Sequence, residues 1–329
     1  MQDLIVRMEN YLDCWRQFNH YLGLARFKKF TLDDENQFME VKTVITQELE
    51  LILAAVEGAE LSSAHINFVG AVDAKALADA GWLARFDWQF HWSNPEVDGS
   101  RWCDFEDFLA ALTHKKRKNI RHERAQVARA GITCELRHGD EISAAEWRAI
   151  HELYLNTFEE RGNHPALTLG FFRHLGAALP RQVIAVLCRR GSAIIAMALL
   201  LRSSTTLYGR YWGCLENVPG LHFEACYYQG IEYCLTHGLT AFEPGAQGEH
   251  KLARGFLPTK TRSFHYLADS RFRAAVREAL GRESRALEEY RAELMAHSPY
   301  ALHRVMAPEQ AAFPAEHHPY PTLPLKGRA

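Results

Sequence analysis

The stretch EPGAQGEHKLARGF, residues 243–256, gathers two carboxylates, a histidine, a lysine, an arginine and three glycines. Glu243 closes an apolar segment, and Pro244 and Gly245 end it. A carboxylate at such a strand end can act as a general base, directly or through water. His250, or His222 from an earlier segment, is the natural proton partner. A metal reading fails on spacing. Glu249 and His250 are adjacent, so on a helix they diverge by about 100°, unlike ligands at i and i+4. A Walker-type phosphate loop fails as well, because the segment lacks G-x-x-x-x-G-K-[ST]. What survives is a strand–turn–helix corner in which Gly245 and Gly248 allow close backbone approach. Gln247 sits in that turn as a candidate substrate contact. Lys251 and Arg254 are three apart, share a helix face, and can grip a phosphate or carboxylate. The competing reading is a solvated polar helix.

Two further groups stand upstream. Tyr208, Arg210 and Tyr211 lie on a strand, and alternation puts Tyr208 and Arg210 on one face and Tyr211 on the other. An arginine in a strand interior is costly without a partner, so Arg210 is a candidate anion ligand; the alternative is an exposed arginine at an edge. His222 and Glu224 open the following helix, with Tyr227 and Tyr228 one turn on. A helix N-terminus favours the anion at Glu224 and disfavours charge on His222. Ordinary first-turn capping explains the same residues.

The run Lys115, Lys116, Arg117, Lys118, Arg121, Arg124 carries one interleaved acid, Glu123, in a chain with net charge −2. That density marks a candidate polyanion contact, such as tRNA, a nucleotide or an anionic headgroup. No aromatics interleave it, so base stacking is not indicated.

The elements that must position these groups follow from periodicity. Helices are expected over 3–25 and 43–59, a short strand at 65–70, a helix over 74–80 and a strand over 85–92. One or two helices fill 104–130, a strand follows at 132–140, and helices follow at 145–161 and 168–179. Three apolar runs, at 182–190, 193–202 and 206–214, have tight separators and read as an antiparallel meander. A helix to Gly238, a strand at 239–244, a short helix, a strand at 261–267 and a long charged helix over 270–296 complete the order. The proline-rich residues after 301 lack a core-forming pattern and are expected to be disordered. In a meander–helix–strand sheet, the third and fourth strands splay and leave backbone groups for a ligand.

The chain has 329 residues, 47% of them hydrophobic, which is room for about two domains. Near-neutral charge excludes a global field for nucleic acid or membrane. Seven scattered cysteines without a CxxC pair argue against a zinc knot or disulfide framework and fit a reducing cytoplasm. No signal peptide or transmembrane run is evident, and no histidine is assigned to a metal.

The phrases HKKRKNIRHERAQVARAGI, LYGRYWGCLENVPGLHFEACYYQGIEYCLTHGL and FEPGAQGEHKLARGFLPTKTRSFHYLAD resemble the FemAB-like family of bacterial N-acyltransferases. That family is grouped with the Fem peptidyltransferases and the GNAT superfamily. The resemblance implies an α/β, GNAT-like acyltransferase fold, a mixed sheet with helices on both faces, built as tandem halves. Residues 1–138 would form an incomplete first half that includes the basic segment 104–130. Residues 139–300 would form the complete half and the long helix, and 301–329 the tail. It further implies transfer of an acyl or aminoacyl group to a small-molecule or peptide amine, in cell-envelope or peptidoglycan metabolism. The donor would be acyl-CoA or aminoacyl-tRNA, the latter held in part by the basic helix. Glu243 would be the base, with His250 or His222 beside it. Tyr208, Arg210, Glu224, Tyr228, Gln247, Lys251 and Arg254 would bind substrate. The glycine-rich loop of acetyl-CoA enzymes is absent from CLENVPGLHFEA, where only Gly220 could serve. A nonenzymatic protein binding an anionic small molecule or nucleic acid is the alternative.

Overall fold

The computed structural model describes residues 52–56, 58–94, 101–245 and 248–301. The helix expected over 3–25 and the proline-rich tail lie outside them. In chain order the elements are β1 (Ser63–Ile66), α1 (Ala71–Asp79), β2 (Leu83–Ser93), α2 (Phe105–Ala111), α3 (His114–Arg129) and β3 (Ile132–His138). Next come α4 (Ala144–Glu160), α5 (Leu169–Ala178), β4 (Val183–Arg190), β5 (Ala193–Arg202) and β6 (Thr206–Cys214). The helix α6 covers 221–236 and holds a π-helical turn at Glu224–Tyr228. Then follow β7 (Ala241–Glu243), a 3-10 helix (Glu249–Arg254), β8 (Leu257–Leu267) and α7 (Ser270–Ala296).

The chain divides into two compact units. Of the described residues, one takes those up to Asp87 and Lys260–Glu288; the other takes those of Trp88–Thr259 and 289–301. In the first, β1 pairs antiparallel with β8, from Ser63↔Leu267 to Ile66↔Phe264. Leu77, Trp82 and Phe264 are buried there, with Ala64, Ile66 and Tyr266 packed on them.

In the second unit the strand order is β2-β7-β6-β5-β4-β3. The meander β4-β5-β6 is antiparallel as expected, β3 pairs antiparallel with β4, and β7 runs parallel to β6. Both faces of this sheet are covered. Ile184, Val186, Ala198 and Leu200 pack with Ile120, Val127 and Ile231 on one side. Val183, Ala185, Leu187, Met197 and Leu199 pack with Trp147, Ile150, Tyr154 and Phe172 on the other. Strands buried on two faces need apolar residues at every position, which is why β4 and β5 read as unbroken hydrophobic runs.

Local sequence fixes the ends. Ser143 and Glu146 form a capping box that starts α4. The basic segment is two helices, and the side chain of Asp104 caps the first of them. β3, on the N-terminal side of residue 138, pairs with β4 on its C-terminal side, from Ile132↔Arg190 to His138↔Ile184. β2 joins the sheet beside β7, with Trp92↔Phe242 and Ser93↔Ala241 antiparallel. The strand that neighbours β7 thus comes from 150 residues upstream, a pairing with no local signal.

Candidate functional site

The parallel pairing of β6 and β7 lasts three residues, Thr206↔Ala241, Leu207↔Phe242 and Tyr208↔Glu243. Beyond it β6 continues to Cys214 while β7 has ended. Gly209 marks the parting: a Cβ there would meet the Pro244 backbone at 3.1 Å. Past that point the β7-side edge of β6 has no strand partner among the described residues, which leaves main-chain donors and acceptors in need of a partner. The register also shifts here, since Leu200 faces Gly209 and Leu199 faces Tyr211. Arg210 is the extra residue of this bulge and is exposed. The bulge breaks the alternation, so Tyr208 and Tyr211 register with Leu201 and Leu199 on one face. The expectation that Tyr211 takes the face opposite Tyr208 is therefore corrected.

At the end of β7, the Glu243 carboxylate lies 4.0 Å from Nδ1 of His91. His91 comes from β2, is 7% exposed, and has Nε2 3.3 Å from Oε1 of Gln89. Burial, and then the charge of Lys251, push its pKa down to about 4, so the imidazole is neutral. Lys251 is 2% exposed and donates from Nζ to the Gly245 carbonyl at 2.5 Å. Burial lowers its pKa to about 8. A carboxylate, a neutral imidazole and a readily deprotonated amine thus meet where the strands part.

The two histidines expected at the site are neighbours. His222 and His250 have ring centres 6.3 Å apart. Burial, then His250 and Arg254, push His222 down to about 4. His250 is also lowered, by burial and by Arg254 and Lys251. Tyr227 stands between helix and corner, its hydroxyl 2.8 Å from His250 Nε2. Trp212 meets the His222 ring edge-on at 5.3 Å. Gly248, at φ 115°, is pressed by the His250 ring, and no side chain fits there.

Other predicted residues belong to a charge network that holds α3 against α6 and the 3-10 helix. Arg254 donates to Glu123 at 2.6 and 3.2 Å and to the His250 carbonyl at 2.7 Å, with its guanidinium 3.3 Å from the Phe223 ring centre. Tyr228, fully buried, donates to the same Glu123 carboxylate. Glu224, 5% exposed, takes Arg124 at 3.0 and 3.1 Å and Gln229 at 2.8 Å. Arg124 also spans to Glu232 at 2.7 and 3.1 Å. These side chains already have matched partners within the protein. Gln247 lies outside the described residues.

Along the basic run, Lys115 and Lys118 are exposed and Lys116 is half-buried. Arg117 points back to the Leu109 and Ala110 carbonyls, where it completes the end of α2, and Arg121 pairs with Glu106. Among the described residues no group of three or more His, Cys, Asp or Glu could hold a metal, and no helix is long and apolar enough to cross a membrane. Sequence reasoning missed His91 and Glu123. His91 sits in QFHW, a strand where an inward histidine has no motif of its own. Glu123 was the lone acid in a basic run, and that contrast was the available signal.

The model of the FemAB-like family, described as peptidoglycan biosynthesis/recognition, matches residues 25–302. No curated protein sequence matches the chain. The C-terminal domain of a protein described as a lysylphosphatidylglycerol synthetase from Agrobacterium fabrum superposes with a TM-score of 0.50 at 14% identity, over 71% of this chain and 76% of that one. L-PGS from Bacillus licheniformis gives 0.49 at 10% identity, over 68% and 72%. FemX gives 0.46 at 12% identity, over 70% and 79%. The first of these likenesses shows a shared fold.

Proposed function

Because the chain belongs to the FemAB-like family, we propose that it transfers an acyl or aminoacyl group to an amine, in cell-envelope or peptidoglycan metabolism. The observation that carries this reading is the meeting of Glu243, His91 and Lys251 where β6 and β7 part. The acyl carbonyl of the donor lies against the open edge of β6, whose N–H groups polarise it. A neutral acceptor amine attacks that carbon. The new C–N bond forms, the C–O bond of an aminoacyl ester or the C–S bond of a thioester breaks, and the amine proton passes to Glu243. The neutral imidazoles of His91 and His222 do not compete with the carboxylate for charge pairing. Lys251, charged below its pKa of about 8, faces the negative charge that develops on the carbonyl oxygen or the leaving group. No covalent enzyme intermediate is needed.

The donor is acyl-CoA or aminoacyl-tRNA, and the acceptor is a small-molecule or peptide amine. The exposed Lys115 and Lys118, with Lys116, are the surface we assign to a tRNA donor. The test is a transfer assay with charged tRNA and acyl-CoA as alternative donors, comparing Glu243→Gln with the unaltered chain. Turnover should fall about 100-fold or more, the usual worth of a positioned base. Unchanged turnover would remove Glu243 from the chemistry.

A further inference from the structure

We propose that Cys134 and Cys188 form a thiol-oxidation site that closes into a reversible disulfide on exposure to a hydroperoxide. The two residues are register partners across β3 and β4, and their Sγ atoms are 3.4 Å apart. Both are free thiols. Directly opposed residues of an antiparallel pair hold their Cα atoms about 4.5–5.5 Å apart, inside the range a disulfide spans. Little backbone movement is required; a change of side-chain rotamer brings the sulfurs together.

The pair is asymmetric. Cys134 is half-buried, whereas Cys188 is fully buried in the core against the π turn. The contact with Cys134, and then burial, hold the Cys188 thiol well above the ordinary range, so it does not react first. Cys134 is the point of entry. Its sulfur takes one oxygen from the hydroperoxide, giving a sulfenic acid and the corresponding alcohol, or water from hydrogen peroxide. The Cys188 sulfur then attacks the sulfenic sulfur, the S–S bond forms, and the hydroxide leaves as water with the Cys188 proton. The exposed Cys103 has no such partner thiol among the described residues. It serves as an internal reference for unpaired oxidation.

The closed loop holds α4 and α5, and the two cysteines are 54 positions apart. A link of that span restrains the unfolded chain and should raise Tm by roughly 5 °C. The experiment treats the full chain with a modest excess of hydrogen peroxide and maps peptides without reduction. A Cys134–Cys188 linked peptide is expected, with two fewer titratable thiols, a higher Tm, and reversal by dithiothreitol. Cys134→Ser should abolish all of these, while Cys103→Ser should abolish none. If Cys188→Ser does not fold, Cys134→Ser carries the test alone. Recovery of Cys134 as sulfinic or sulfonic acid without the linked peptide overturns the proposal. So does a link from Cys134 to Cys214 or Cys226.

Discussion

Two clusters of charged residues flank α6, and they treat charge in opposite ways. Along α3, Glu123 meets Arg254 and Tyr228, and Arg124 meets Glu224 and Glu232, so each charge finds its opposite within about 3 Å. At the corner after β7, burial pushes Lys251, His91, His222 and His250 towards neutrality, and neighbouring positive charge adds to the shift at the three histidines. Matched charges hold a position; crowded like charges stay poised to lose or pass a proton. Residue type does not separate the clusters, since each contains an arginine or lysine and a glutamate. The arrangement of partners does.

The sharpest way to break this contrast is to cut each cluster once. Glu243→Gln should cost about 100-fold or more in turnover while leaving the unfolding midpoint in place, as read by transfer kinetics and urea denaturation. Arg124→Met should do the reverse. It strands the buried Glu224 and costs about 3 kcal/mol of stability, with turnover per folded molecule nearly unchanged. A stability loss under about 0.5 kcal/mol would dissolve the distinction.

Acid should reveal the poised cluster. Folding lowers the pKa of His91 from 6.5 to about 4, so the unfolded chain binds that proton more tightly. The contribution is therefore complete above about pH 6.5 and is lost as pH falls through 4. It is on the order of 3 kcal/mol for His91, and His222 adds in the same direction. Tm measured from pH 7 to 4.5 should drop, and His91→Gln should flatten the slope. A slope that His91→Gln leaves unchanged would count against a neutral buried imidazole.

On the alkaline side, Lys251 loses its proton above about pH 8. Turnover should decline over that range in proportion to the lost ammonium, and Lys251→Met should be slow at every pH, without that decline. The smallest effect belongs to the solvated face of α3. Lys115→Ala with Lys118→Ala should shift unfolding by less than about 0.5 kcal/mol. The same pair should reduce the salt dependence of tRNA binding if that face meets the donor. An unchanged salt slope would remove the surface from the proposal.

Much of the second unit was legible in the sequence. The three apolar runs map onto β4, β5 and β6 almost residue for residue, because strands buried on both faces and cut by tight turns carry their own punctuation. The placement of Glu243 at a strand end was legible from Pro244 and Gly245. Long-range partners were not. Arg254 reads as a free cation until Glu123, 131 positions away, is brought to it. His91 reaches Glu243 only because β2 enters the sheet beside β7. Tyr211 stood opposite Tyr208 by alternation, and a single bulge residue, invisible to a period of two, turned that expectation over.

The π turn at Glu224–Tyr228 has a consequence for the chain's history. Such a turn is an ordinary helix with one residue added. Gly230, whose absent Cβ makes room for the Phe242 ring, pins the helix on its C-terminal side. Deleting one residue between 224 and 228 would heal the helix and swing His222 and Phe223 by about 100° around its axis. A relative lacking that residue would align with a single gap, keep every strand, and present a different pair of rings to the corner where β6 and β7 separate.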